Sequence, residues 1–166
     1  CALPILTRSK AMRTYRRLSP EHRGSLLDAI VERAASRHAG AAPAVVVFDL
    51  DGTLLDNRPR TRAILAELAA EWSAEFPEDA ARLAGLRDDD VVYGVAETAR
   101  RVGVTDPERL ALVAKRWRER FFVDGYLHHD VEVPGAAAFA HRVHEAGATV
   151  VYLTGRDLPK IGRAHV

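Results

Sequence analysis

Apolar residues along this chain fall into two patterns: short unbroken runs, and longer stretches spaced three or four apart. The runs are Ala44 to Phe48 and Thr149 to Leu153. Both are rich in Val and both lead into a polar turn, Asp49-Leu50-Asp51-Gly52 after the first and Thr154-Gly155-Arg156-Asp157 after the second. Such runs predict strands buried on both faces, as in the middle of a parallel sheet. Helical spacing predicts most of the remainder. Ser19 to His38 offers Ser19 as N-cap, Pro20 at the first helical position, and Leu26, Leu27, Ile30, Val31 and Ala34 as one stripe. Arg60 to Phe76 sets Ile64, Leu65, Leu68, Trp72 and Phe76 on one side. A further helix is predicted from the Asp88-Asp89-Asp90 run, whose charges suit a helix start, through Val91, Val92, Val95 and Val102 to a stop at Gly103. Asp106 and Pro107 open another, with Leu110, Val113, Ala114, Trp117 and Phe121 at helical spacing. Pro134 to Glu145 places Ala136, Phe139, Ala140 and Val143 on one face, and Gly147 sits where a C-terminal cap belongs.

A helix, a strand and a polar turn in that order form an α/β crossover, which implies parallel pairing of the two runs. The predicted fold class is therefore α/β, with a doubly wound, Rossmann-like parallel-sheet core. The helical stretch 58–130 is far longer than a crossover needs. It reads as an all-α subdomain with its own core, inserted between the first two strands, with Trp72 and Trp117 in that core rather than on a substrate platform. The expected organisation is an N-terminal helical extension (1–43, with a small-residue linker from Gly40 to Pro43), a partial core (44–57 and 131–160) and the inserted helices (58–130). The C-terminal part of the core is expected to lie beyond the sequence. Two strands alone leave edges and faces unpaired, so the chain by itself is expected to be marginally stable.

Composition narrows the function classes. Among 166 residues, 24 Lys and Arg balance 23 Asp and Glu for a net charge of +1, so no global field argues for nucleic acid or membrane. The basic patch of Arg8, Lys10, Arg13, Arg16 and Arg17 has only Tyr15 interleaved, and reads as a solvated or partner-docking face rather than a nucleic-acid site. No apolar run approaches the ~20 residues of a membrane span, and a cytoplasmic location is expected. The ends need separate treatment. One stretch of sequencing-adapter DNA, read in opposite orientations, can encode both Cys1 to Ile5 and Ile161 to Val166. Both segments are expected to be read-through, with Leu6 and Lys160 as hybrid codons at the junctions. Cys1, the sole cysteine, then says nothing about redox chemistry. Source DNA carrying these codons inside a longer natural gene would overturn that expectation.

The candidate chemistry lies in the two polar turns. Carboxylates two residues apart, at the C-terminal end of a buried strand, sit where open α/β sheets bind ligands. Asp49 is placed to attack an electrophile and form a covalent intermediate. Asp51 can serve as acid and then base. Two anions facing a phosphate need a hard divalent counter-charge, for which Mg²⁺, with carboxylate and carbonyl oxygens, is the natural choice. Gly52 allows a tight turn that brings amide N–H groups toward phosphoryl oxygens. Thr154 offers a hydroxyl, and Gly155 a close-approaching N–H, to the same phosphate. The residues alone thus describe a phosphoryl-transfer site.

Phe48-Asp49-Leu50-Asp51-Gly52-Thr53-Leu54 resembles the first signature of the haloacid dehalogenase superfamily, and Val151-Tyr152-Leu153-Thr154-Gly155 resembles its second. The helical insertion falls where that family places its first type of cap. The resemblance spans about residues 44 to 157. It implies a Mg²⁺-dependent phosphohydrolase that cleaves a small phosphorylated metabolite through an aspartyl-phosphate. Asp49 would be nucleophile and metal ligand, Asp51 acid/base with its main-chain carbonyl on the metal, and Thr154 a phosphoryl ligand. Members that cleave carbon–halogen bonds lack the acid/base, so Asp51 points to the phosphatase-like branch. Two further family elements, a Lys and an acidic pair, are expected beyond residue 160, since Lys160 follows Thr154 too closely. The alternatives are a phosphotransferase or mutase of the same family, or a non-catalytic phospholigand-binding or partner-docking protein.

Other polar residues receive plainer readings. Arg156 could reach phosphate or pair with Asp157 at the surface. Asp56 and Asn57 are expected to shape the hairpin leading to the helices, and Arg58 and Arg60 could contact an anionic substrate from that hinge. His128-His129-Asp130 is expected to be loop polarity rather than a metal site, because adjacent ligands point different ways. Substrate identity and oligomeric state are not legible in the sequence.

Overall fold

Local capping and periodicity account for most of the helices in the computed structural model, which describes residues 18–36 and 42–155. The basic N-terminal patch, Cys1, Gly40, Arg156, Asp157, Lys160 and both terminal segments lie outside the described residues. Ser19 caps α1 (Pro20–Ala35) by accepting the His22 N–H at 3.2 Å. Asp106 caps α5 (Pro107–Phe121) by accepting the Arg109 N–H at 2.9 Å. Proline opens α2 (Arg58–Trp72), α3 (Pro77–Ala84) and α5 within the first two positions, where a missing N–H costs nothing. The α3 helix lies in a stretch to which the sequence reading assigned no element. Its signals were present: Pro77 at the start, Glu78 and Asp79 in the first turn, Arg82 in the last turn and Gly85 at the end.

The helix expected from Asp88 starts later. Asp88–Asp90 form one 3-10 turn, and α4 runs only from Val95 to Arg101. Side-chain pairing explains the break. Asp88 binds Arg62 at 2.6 Å, Asp89 binds Arg58 at 3.2 Å, and the Asp90 carboxylate accepts the Arg87 N–H at 2.9 Å. Val91 is extended (ψ 124°), and the buried Thr98 hydroxyl holds the loop by accepting the Val92 N–H at 3.0 Å. Gly103 ends this region with φ +100°, as its C-terminal position requires.

Helices α2, α3, α4 and α5 enclose one core. It contains Leu65, Leu68, Trp72, Leu83, Ala99, Val104 and Val113, with Phe76 and Trp117 packed against it. Both tryptophans are therefore core residues, as their spacing predicts. A second, smaller core lies under the sheet. There β1 (Val45–Asp49) pairs in parallel with β4 (Thr149–Leu153), Val45 opposite Thr149 through Asp49 opposite Leu153. The predicted parallel pairing is thus present. Phe48, Ala140, Val143 and Ala148 are buried there beside Ala34, which joins α1 to α6 (Ala136–Glu145).

Burial on both faces of the strands is not observed. Val46 and Phe48 turn toward the helices, whereas Val45, Val47, Val151, Tyr152 and Leu153 are exposed. The physical reason is that α1 and α6 contribute to one core, and nothing among the described residues covers the opposite face. The α1 stripe divides in the same way: Ala34 is buried and Val31 packs beside it, but Leu26, Leu27 and Ile30 remain exposed.

Two short strands join these regions. In antiparallel pairing, β2 (Leu55–Asp56) sets Leu55 opposite Glu132 and Asp56 opposite Val131 of β3 (Val131–Glu132). The chain therefore leaves for α2 and returns from the 3-10 segment Asp124–His129 at neighbouring points. No described helix is long and apolar enough to cross a membrane.

The packing sets an expected order of stabilities. Leu68→Ala, at a fully buried position, should cost the full-length protein about 2–5 kcal/mol. Asp28→Ala removes an exposed ion pair with Arg142 and should cost less than about 1 kcal/mol. Urea denaturation of both variants checks that ranking, and equal losses would contradict it.

Candidate active site

Parallel register brings the C-terminal ends of β1 and β4 to one edge, so the two polar turns emerge side by side. The Leu50 N–H donates to the Leu153 carbonyl at 3.0 Å, extending the pairing one residue past Asp49. The chain then folds back tightly. The Leu55 N–H donates to Leu50 O at 3.0 Å, and the Gly52 N–H donates to Leu55 O at 2.8 Å. Gly52 has φ +81°, a conformation that side-chain-bearing residues rarely adopt, which is why glycine stands there. Its own N–H is used inside the turn, where Gly52 shapes the loop.

The two carboxylates have different surroundings. Asp49 is exposed, and its Oδ2 accepts the Thr53 hydroxyl at 3.0 Å. Its Oδ1 takes no hydrogen bond among the described residues. Asp51 is more enclosed, with its side chain 19% exposed. The Thr154 hydroxyl donates to Asp51 Oδ2 at 3.1 Å, and the Arg60 guanidinium donates to Oδ1 at 2.7 Å. The fold thus brings Thr154, expected at the phosphate, to Asp51. Gly155 follows it in an exposed bend, with open space where a side chain would stand.

Arg60 lies in the first turn of α2, but not in reach of solvent. Its side chain is fully buried, and so cannot meet an anionic substrate directly. Asp130 receives it through two bonds, Nε to Oδ1 at 2.7 Å and Nη2 to Oδ2 at 2.8 Å. Nη1 donates to the Phe121 carbonyl at 2.8 Å, and the Phe121 ring lies 4.0 Å from the guanidinium carbon. Asp130 is thus the residue that sequence reasoning missed, having been grouped with His128 and His129 as loop polarity. Its side chain is 5% exposed. The available signal was Arg60 itself, set four and eight residues before the buried Ile64 and Leu68 on the apolar face of α2. A cation there requires an acid from elsewhere.

Arg58, by contrast, is exposed and pairs with two acids. Its guanidinium grips Asp56, with bonds of 2.6 to 3.0 Å, and reaches Asp89 at 3.2 Å. The side-chain hydrogen bonds from Arg58 hold the Asp56 carboxyl below its ordinary value, and the Arg58 N–H adds to this. The same pairing pushes the Arg58 guanidinium up. Among the described residues, no group of three or more His, Cys, Asp or Glu side chains could hold a metal ion. His128 and His129 end the 3-10 segment Asp124–His129, with their ring centroids 3.9 Å apart.

A family model for haloacid dehalogenase-like hydrolases matches residues 43–164, well over half of the chain and including part of the C-terminal segment expected to be read-through. No curated protein and no solved structure matches the chain.

The Asp56–Arg58 pair gives a pH signature of the junction between β2 and α2. A carboxyl held below its ordinary 3.8 stabilises the fold above that value, and the stabilisation is lost as pH falls through the lower folded value. The stability difference between the parent and Asp56→Asn should therefore be complete at neutral pH and close as pH falls below about 3.8. Denaturation midpoints measured across that window check it. A difference that stays constant down to about pH 2.5 would contradict it.

Proposed function

The chain belongs to the haloacid dehalogenase-like hydrolases, and on that premise we propose that it hydrolyses a phosphate monoester of a small metabolite through an aspartyl-phosphate on Asp49. The supporting observation is the pair of differently held carboxylates. Asp49 is exposed and steadied by Thr53, while Asp51 is clamped between Thr154 and Arg60. In this reading residues 44–57 and 131–160 belong to the catalytic core. Residues 58–130 form a cap that closes to exclude water and select the substrate.

The donor set suits Mg²⁺ in kind: the Asp49 carboxylate and the Asp51 main-chain carbonyl are hard oxygen ligands. When bound, the ion supplies counter-charge to the phosphoryl oxygens. The protein's own residues do the remaining work. The Thr53 hydroxyl fixes the rotation of the Asp49 carboxylate and leaves Oδ1 to attack phosphorus. As the bond from phosphorus to the leaving oxygen breaks, that oxygen takes a proton from Asp51. Arg60 has only hydrogens to present, so Oδ1 of Asp51 cannot carry the proton toward it. The proton sits on Oδ2, beside the Thr154 hydroxyl, which can donate or accept. Water then attacks the phosphorus of the aspartyl-phosphate and gives its proton to Asp51. The bond from phosphorus to Asp49 breaks, phosphate leaves, and both carboxyls return to their starting forms. Thr154 and Gly155, at the end of β4, face the same edge and are assigned to the phosphoryl group.

Asp49→Asn should lower Mg²⁺-dependent phosphate release by the full-length protein about 1,000-fold or more. Phosphate release from a panel of small phosphate monoesters measures it, and an unaffected rate would refute the proposal.

A further inference from the structure

The interactions of Arg60 join parts of the chain that are far apart in sequence. One buried guanidinium binds Asp51 in the loop after β1, Asp130 just before β3 and the Phe121 carbonyl at the end of α5. Resting on the hydrolase reading above, we infer that Arg60 is a positioning residue for leaving-group protonation. It sets the direction of the Asp51 carboxyl and selects the oxygen that carries the proton.

Geometry and chemistry both support this role. A group that gives up a proton and then takes one must keep its direction in both states. Thr154 alone cannot ensure that, because a hydroxyl pairs equally well with either form of the acid. Arg60 breaks the symmetry. It donates to Oδ1 at 2.7 Å, never accepts, and stays charged. Its own position is fixed by the two bonds to Asp130, by the bond to the Phe121 carbonyl and by the Phe121 ring stacked at 4.0 Å. The guanidinium has no exposure through which to bind substrate. Its effect on the reaction therefore passes through Asp51, and the aim of Asp51 depends on how α2 and the end of α5 are seated.

The substrate's leaving group provides the test. p-Nitrophenolate departs without a proton, whereas an alkoxide needs one. kcat/KM reports phosphoryl transfer to Asp49 and not the later hydrolysis, in which Asp51 acts as base. It is measured on the full-length protein with p-nitrophenyl phosphate and with glycerol phosphate. Arg60→Lys keeps the charge but not the planar fork. It should lower kcat/KM for glycerol phosphate about 100-fold, and for p-nitrophenyl phosphate by no more than about 5-fold. Phe121→Leu loosens the same guanidinium without stranding a buried charge, and should show the same asymmetry at about 10-fold for glycerol phosphate. It carries the test if Arg60→Lys does not fold. Equal losses on both substrates in a folded variant would make Arg60 merely structural and overturn the inference while leaving the hydrolase reading intact. A parent protein that releases no phosphate from either substrate or from any ester of the wider panel would instead remove the hydrolase reading, and the inference with it.

Discussion

A guanidinium taken out of water is destabilising by several kcal/mol unless its hydrogens find well-placed oxygens. Arginine cannot escape that cost by losing its proton. Arg60 is fully buried, so the fold around it has to deliver acceptors, and it draws them from both directions along the chain. Asp51 lies 9 residues earlier and Asp130 lies 70 residues later. Satisfying one side chain therefore pins the start of α2 to the loop after β1 and to the segment that returns from the helices. Losing either acid would leave buried charge unmatched, a change that typically costs about 3–5 kcal/mol.

That constraint also explains how two separate cores share one edge. The helical core around Leu65, Leu68, Trp72 and Val113 has no member in common with the core beneath the sheet. They are joined by the short β2–β3 pairing, by the Asp56–Arg58 grip and by the Arg60 cluster. Each takes one member from the stretch just after Asp51, namely β2, Asp56 with Arg58, and Arg60. The joint between the regions is thus built from the residues next to the proposed chemistry. A small shift of α2 would move Arg60, and through it the carboxyl assigned to proton transfer.

Much of this was readable in advance, for identifiable reasons. The Val runs marked β1 and β4, because each is an unbroken apolar run ending in a polar, glycine-containing turn, Asp-x-Asp-Gly after β1 and Thr-Gly after β4. Asp106 with Pro107, and Ser19 with Pro20, marked helix starts through local chemistry that the fold preserves. What escaped was decided by contacts distant in sequence. The carboxylates of Asp88 and Asp89 pair with arginines of α2, and the expected helix gives way to a 3-10 turn. Val45 and Val47 have the composition of a doubly buried strand, yet only one face meets helices among the described residues. Asp130 looked like part of a polar loop because the cation that buries it is 70 residues away.

Where the phosphoryl group goes during turnover bears most directly on this account. The full-length protein would be mixed with Mg²⁺ and a phosphate monoester, quenched in acid within the first turnovers, digested and sequenced by mass spectrometry. The expected result is one added phosphoryl group on the peptide containing Asp49, assigned to that carboxyl and absent without substrate. Sustained release of phosphate with Asp49 unmodified at every quench time, or with the group on another residue, would contradict the aspartyl-phosphate route.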